Sequence, residues 1–85
     1  MSRLDKAKER LRKRPKDYTY KEAKSLLEQL GFKEFNKGKT SGSRKKFYRA
    51  SDRKMILLHK PHPGDVMSPG AINALCNYLL ELGEL

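Results

Sequence analysis

Ala23, Leu26, Leu27 and Leu30 fall at i, i+3, i+4 and i+7, the spacing that gathers side chains on one face of a helix. Thr19 and Glu22 ahead of them match the S/T-x-x-E capping pattern, and Gly31 stands where a left-handed residue ends a helix. The expectation is a helix over about 20–30. Ile72, Leu75, Cys76 and Leu79 repeat the spacing, with Ser68 as N-cap, Pro69 at the first helical position and Gly83 at the end. Between the two lie three short segments of strand character: 32–37 with Phe32 and Phe35, 44–50 with Phe47 and Tyr48, and 54–60 with the run Met55-Ile56-Leu57-Leu58. Ser51-Asp52-Arg53 makes a tight polar connection, so the last two strands form a hairpin. Neighbouring strand residues point to opposite faces, and Phe47 is expected inward with Tyr48 outward.

The order is therefore α-β-β-β-α, an α+β fold in which a three-stranded antiparallel sheet carries both helices on one face. The opposite face is left free. Ahead of this unit, residues 1–17 form a basic N-terminal helix or arm, in which Leu4, Ala7 and Leu11 recur at helical spacing until Pro15. The folded domain is expected over 18–85.

Length and charge narrow the class. At 85 residues there is room for one small core, and large cofactor-binding α/β folds are excluded. A single cysteine, Cys76, excludes a disulfide-stapled module and reads as a small core residue on the helix face. No apolar stretch approaches the roughly 18 residues of a membrane span, and the charged N-terminus lacks a signal-peptide core. A cytoplasmic protein is expected. The formal charge of +10 is uneven: residues 1–17 carry a net +5, residues 36–60 a net +8, and the remainder is acidic. A polyanion relieves the self-repulsion of such segments, and nucleic acid is the first candidate partner.

Few residues offer chemistry. His59, His62 and Cys76 lack any zinc-ligand spacing, so no metal and no small-molecule cofactor is expected. Gly38-Lys39-Thr40-Ser41-Gly42-Ser43 lacks the Walker spacing, yet its backbone amides and Lys37, Lys39 and Arg44 suit RNA phosphates. His59 and His62 flank Lys60 at the end of a strand. Metal-free RNA cleavage needs a base for the ribose 2′-hydroxyl and an acid for the leaving 5′-oxygen, and imidazole serves both roles near neutral pH. The expected RNA surface comprises Lys37, Lys39, Ser43, Arg44, Lys45, Lys46, Arg49 and Lys60, with Tyr48 free to stack a base. Two other classes stay open: a binding module without catalysis, and an interaction protein whose basic face meets an acidic partner.

The helix ending in Leu30-Gly31-Phe32, the Gly42-Ser43 strand entry, the apolar strand, the Pro61-His62 turn and the Pro69-Gly70 helix start resemble the HicA toxin family over about 18–83. The family comprises small mRNA interferases of type II toxin–antitoxin systems. The resemblance implies a double-stranded-RNA-binding-domain-like fold, metal-independent endoribonuclease activity, and a HicB-like antitoxin that covers the active face. The family's catalytic histidine follows Gly-Ser directly, and here that position is Arg44, while the family's Pro-x-His turn corresponds to His62. Arginine stays protonated and cannot act as a general base near neutrality, though it binds phosphate well. Three outcomes are open: His59 or His62 supplies the base, the protein binds RNA without cutting it, or it is an inactive toxin still recognised by an antitoxin.

Overall fold

The computed structural model describes residues 2–34, 44–59, 61 and 64–85. Helix α1 (Arg3–Arg12) begins at the Ser2 side chain, which accepts from the Asp5 amide. Helix α2 (Tyr20–Gln29) begins at Thr19, whose Oγ1 accepts from the Glu22 amide at 3.1 Å. Only this half of the capping box is made with the backbone. The Glu22 carboxylate instead accepts from the Thr19 hydroxyl and from the Arg10 guanidinium of α1.

At its other end α2 closes in a Schellman arrangement. Gly31 has φ +98°, its amide bonds Glu28 O, and the Phe32 amide reaches back to Leu27 O at 2.9 Å. Helix α3 (Pro69–Glu81) starts at the Ser68 cap and ends the same way, with Gly83 at φ +78° and the Glu84 amide on Leu79 O. Both glycine stops occupy the positions that the periodicity predicts.

The strands are β1 (Lys33–Glu34), β2 (Arg44–Arg49) and β3 (Lys54–His59), in the order β1-β2-β3 and antiparallel throughout. Residues 35–37, the rest of the first expected strand, and the loop 38–43 lie outside the described residues. Register pairs Phe47 with Ile56 and Lys45 with Leu58, and Phe47, Ile56 and Leu58 face the helices. They meet Tyr20, Ala23, Leu26 and Leu27 of α2 and Ile72, Leu75, Cys76 and Leu79 of α3 in one core. The α-β-β-β-α order expected from periodicity is the order observed.

Two features bind this unit further. Residues 18–20 pair with 65–67 through the Met67 amide on Tyr18 O and the Tyr20 amide on Asp65 O, which ties the start of α2 to the approach to α3. Helix α1 is part of the same core: Leu11 is fully buried, with Leu4 and Ala7 packed beside it. Arg14 donates to Asn73 and Asn77 of α3. No described helix is long and apolar enough to cross a membrane.

Candidate functional site

With both helices on one face, the other face of the sheet carries every second residue of β2 and β3. Register sets Lys33 beside Tyr48, Tyr48 opposite Met55, Lys46 opposite Leu57, and Arg44 opposite His59. Lys33, Lys46 and His59 are exposed and Tyr48 is half-buried. Tyr48 thus takes the outward orientation expected of it, and Phe47 the inward one.

The hydrogen-bond pattern orders these pairs further. The Met55 carbonyl accepts from the Tyr78 hydroxyl of α3 at 2.9 Å, so it points away from β2. Tyr48 and Met55 are therefore a non-hydrogen-bonded pair. By alternation so are Lys46 with Leu57 and Arg44 with His59, the closer kind of cross-strand neighbour, with Cα atoms about 4.5 Å apart.

The same alternation divides the basic residues of β2. Lys46 lies on the open face. Lys45 and Arg49 share the parity of Phe47 and belong to the helix side, apart from the surface on which the sequence reading grouped them. The Arg49 side chain is only 12% exposed and fully engaged. Its Nε and Nη2 donate to Asp52 at 3.0 and 2.6 Å, and its Nη1 donates to Glu84 at 2.7 Å and to Leu30 O at 3.0 Å. The guanidinium also lies 4.7 Å from the centre of the Phe32 ring. Hydrogen bonding to Asp52 raises the Arg49 pKa, and the reciprocal bond holds the Asp52 carboxyl below its ordinary value. Arg49 is a structural clamp across the α2 stop, the β2–β3 turn and the C-terminal segment.

Of the expected catalytic pair, His59 stands exposed at the end of β3, while His62 lies outside the described residues, as do Lys37, Lys39, Ser43 and Lys60. The open face also has a component that the charge count missed. Met55 and Leu57 are exposed on it, Leu57 by 61%. The signal was present in Lys54–His59, because a strand with one buried face must turn alternate members of an apolar run outward. Lys33 joins the face only through its pairing with Tyr48, which no local pattern predicts.

The face therefore combines cations, an exposed imidazole, a half-buried phenol ring and a short apolar ridge, a surface fit for an anionic polymer or an extended chain. Neither a comparison with curated proteins nor one with solved structures returned a match. A family model described as the HicA toxin of bacterial toxin–antitoxin matches residues 20–80, which runs from the first residue of α2 to within one residue of the end of α3 and takes in the whole sheet. On that match, and on the α-β-β-β-α architecture beneath it, the chain belongs to the HicA toxin family.

Proposed function

We propose that this toxin acts on RNA, that RNA lies along the open sheet face, and that His59 is its proton-transfer group. The observation that carries the reading is the register of Arg44 opposite His59. Position 44 is where the family's catalytic histidine stands, and a non-hydrogen-bonded partner is the nearest position from which another strand can supply an imidazole. In the reaction His59 accepts the proton of a ribose 2′-hydroxyl. The 2′-oxygen attacks the adjacent phosphorus, the bond to the 5′-oxygen breaks, and that oxygen takes a proton from an acid. His62 or water fills the acid role. The products are a 2′,3′-cyclic phosphate and a 5′-hydroxyl end. The guanidinium of Arg44 and the ammonium of Lys46 suit the charge that develops on phosphorus. Tyr48 offers a ring for a base to stack on.

Arg44 favours a second reading, in which the protein holds RNA without cutting it. RNA cleavage in excess EDTA by the wild type, His59→Ala and Arg44→His separates the two. Cleavage by the wild type that His59→Ala abolishes supports His59 as the base. Cleavage by both at equal rates overturns that role. An inert wild type with an active Arg44→His variant establishes the binding reading, with the scaffold intact and the chemistry lost at one position. The partner on this reading is a HicB-like antitoxin that masks the open face, and the site of action is the cytoplasm, where mRNA is translated.

A further inference from the structure

β3 is an edge strand, and its outer edge is unpaired among the described residues except where the Tyr78 hydroxyl meets the Met55 carbonyl. That contact sets the phase of the strand. The N–H and C=O groups of Leu57 and His59 point outward with those of Met55, while Ile56 and Leu58 bond to β2. An exposed edge is a template for another strand, and natural proteins usually blunt one with a central charge, a proline or a bulge. The centre of β3 carries none of these. It carries Leu57, 61% exposed, and Met55, 46% exposed. Beside the edge runs a groove of about 350 Å³ between β3 and α3, walled by the small side chains of Ala71 and Ala74 and by Tyr78.

We infer that the outer edge of β3 is a docking site for an extended, acidic segment of a partner polypeptide, which pairs with Leu57 and His59 and adds a fourth strand to the sheet. The inference goes beyond the reading above and does not require that the protein act on RNA.

Charge selects this occupant. Lys46 and Arg44 are the residues opposite Leu57 and His59 on β2, on the open face. A strand that alternates acidic with apolar residues turns its acidic members to the open face, toward the cation of Lys46, and its apolar members into the groove walled by Ala71, Ala74 and Tyr78. A second copy of this chain fails the same test, since edge-to-edge pairing brings together two molecules that each carry a charge of +10 and supplies no acidic strand. RNA lacks the alternating donors and acceptors of a strand, and it gains nothing from the Leu57 side chain. The Tyr78 hydroxyl stops the pairing at Met55, so the added strand is short.

The test uses the intact protein and a decapeptide alternating glutamate with valine, with a lysine–valine decapeptide and oligouridine as controls. Amide hydrogen exchange is read residue by residue at physiological salt. On adding the acidic peptide, exchange at Leu57 and His59 slows by about tenfold or more, while Ile56 and Leu58, already paired to β2, do not change. Leu57→Glu, a change at an exposed position that leaves the fold intact by circular dichroism, weakens the acidic peptide by about tenfold. Peptide binding with unchanged exchange at Leu57 and His59 overturns the inference, as does absence of binding. Protection of the same two amides by oligouridine, or by self-association without peptide, overturns it too. None of these readouts involves RNA cleavage, so failure here is distinct from failure of the proposed catalysis.

Discussion

Arg49 brings together an acid from the β2–β3 turn, an acid from the C-terminal segment, the last carbonyl region of α2 and the ring of Phe32. Its stem also passes close to Gly31, so that a Cβ there would meet Arg49 Cδ at 3.3 Å in a backbone already at φ +98°. Removing such a group strands its partners at a half-buried site. Arg49→Ala is expected to lower the unfolding free energy by about 2 kcal/mol, measured by urea denaturation. Arg49→Lys recovers less than half, because an ammonium cannot make the paired contacts of the guanidinium fork. A pH dependence follows with a definite sign. Asp52 titrates below its ordinary value in the fold because Arg49 bonds its carboxylate. Its contribution is complete above the ordinary carboxylate range and is lost as the pH falls through the lowered value. The gap between the acid unfolding curves of the wild type and Arg49→Ala should therefore narrow at low pH, leaving the share due to Leu30 O and the Phe32 ring.

Helix α1 shows how a segment of high charge becomes structure. Its apolar stripe is narrow, yet Leu11 is fully buried and Arg10 pairs with Glu22 and Asp17. The helix precedes the residues that match the family model. Leu11→Ala is expected to cost about 3 kcal/mol and to lower the melting temperature, since a buried leucine leaves a cavity behind it. The start of α2 adds a second dependence. Tyr18 and Tyr20 are buried, and burial raises both phenols above their ordinary pKa of 10.0, assisted at Tyr20 by its bond to Glu34. A raised phenol favours the folded state fully below the unfolded value and loses that contribution as the pH climbs toward the raised one. Stability should fall above about pH 10, and Tyr20→Phe should reduce the slope of that fall in alkaline unfolding curves.

Taken together, the protein is a two-faced sheet with its helices on one side and its cations divided between the sides. On the proposed reading, binding of RNA to the open face would release counterions, and affinity is expected to fall steeply with salt. Filter binding across a salt series gives the number of phosphate contacts. Lys46→Ala on the open face should reduce the slope of log affinity against log salt by about one. Lys45→Ala, one residue away and on the helix side, should leave it unchanged. Equal effects of the two would contradict the division of faces derived from the register.

The helix stops at Gly31 and Gly83, the caps at Thr19 and Ser68, the inward Phe47 and the element order were all legible in the chain, because each depends on neighbours within one or two turns. The family could be read for the same reason, since its marks are local. What local pattern could not supply is which cations work together. Nine basic residues between 36 and 60 look alike as a run of charge. Strand alternation sends Lys46 one way and Lys45 the other, and long-range contacts with Glu84 and Leu30 remove Arg49 from the exposed set. The same holds for the role proposed for His59, which depends on Arg44 fifteen residues earlier and on the antiparallel register that sets the two opposite. Periodicity thus determines which residues are helix, strand and core, whereas pairing across the sheet decides which side chains share a surface, because only closure of the chain on itself brings distant positions within reach.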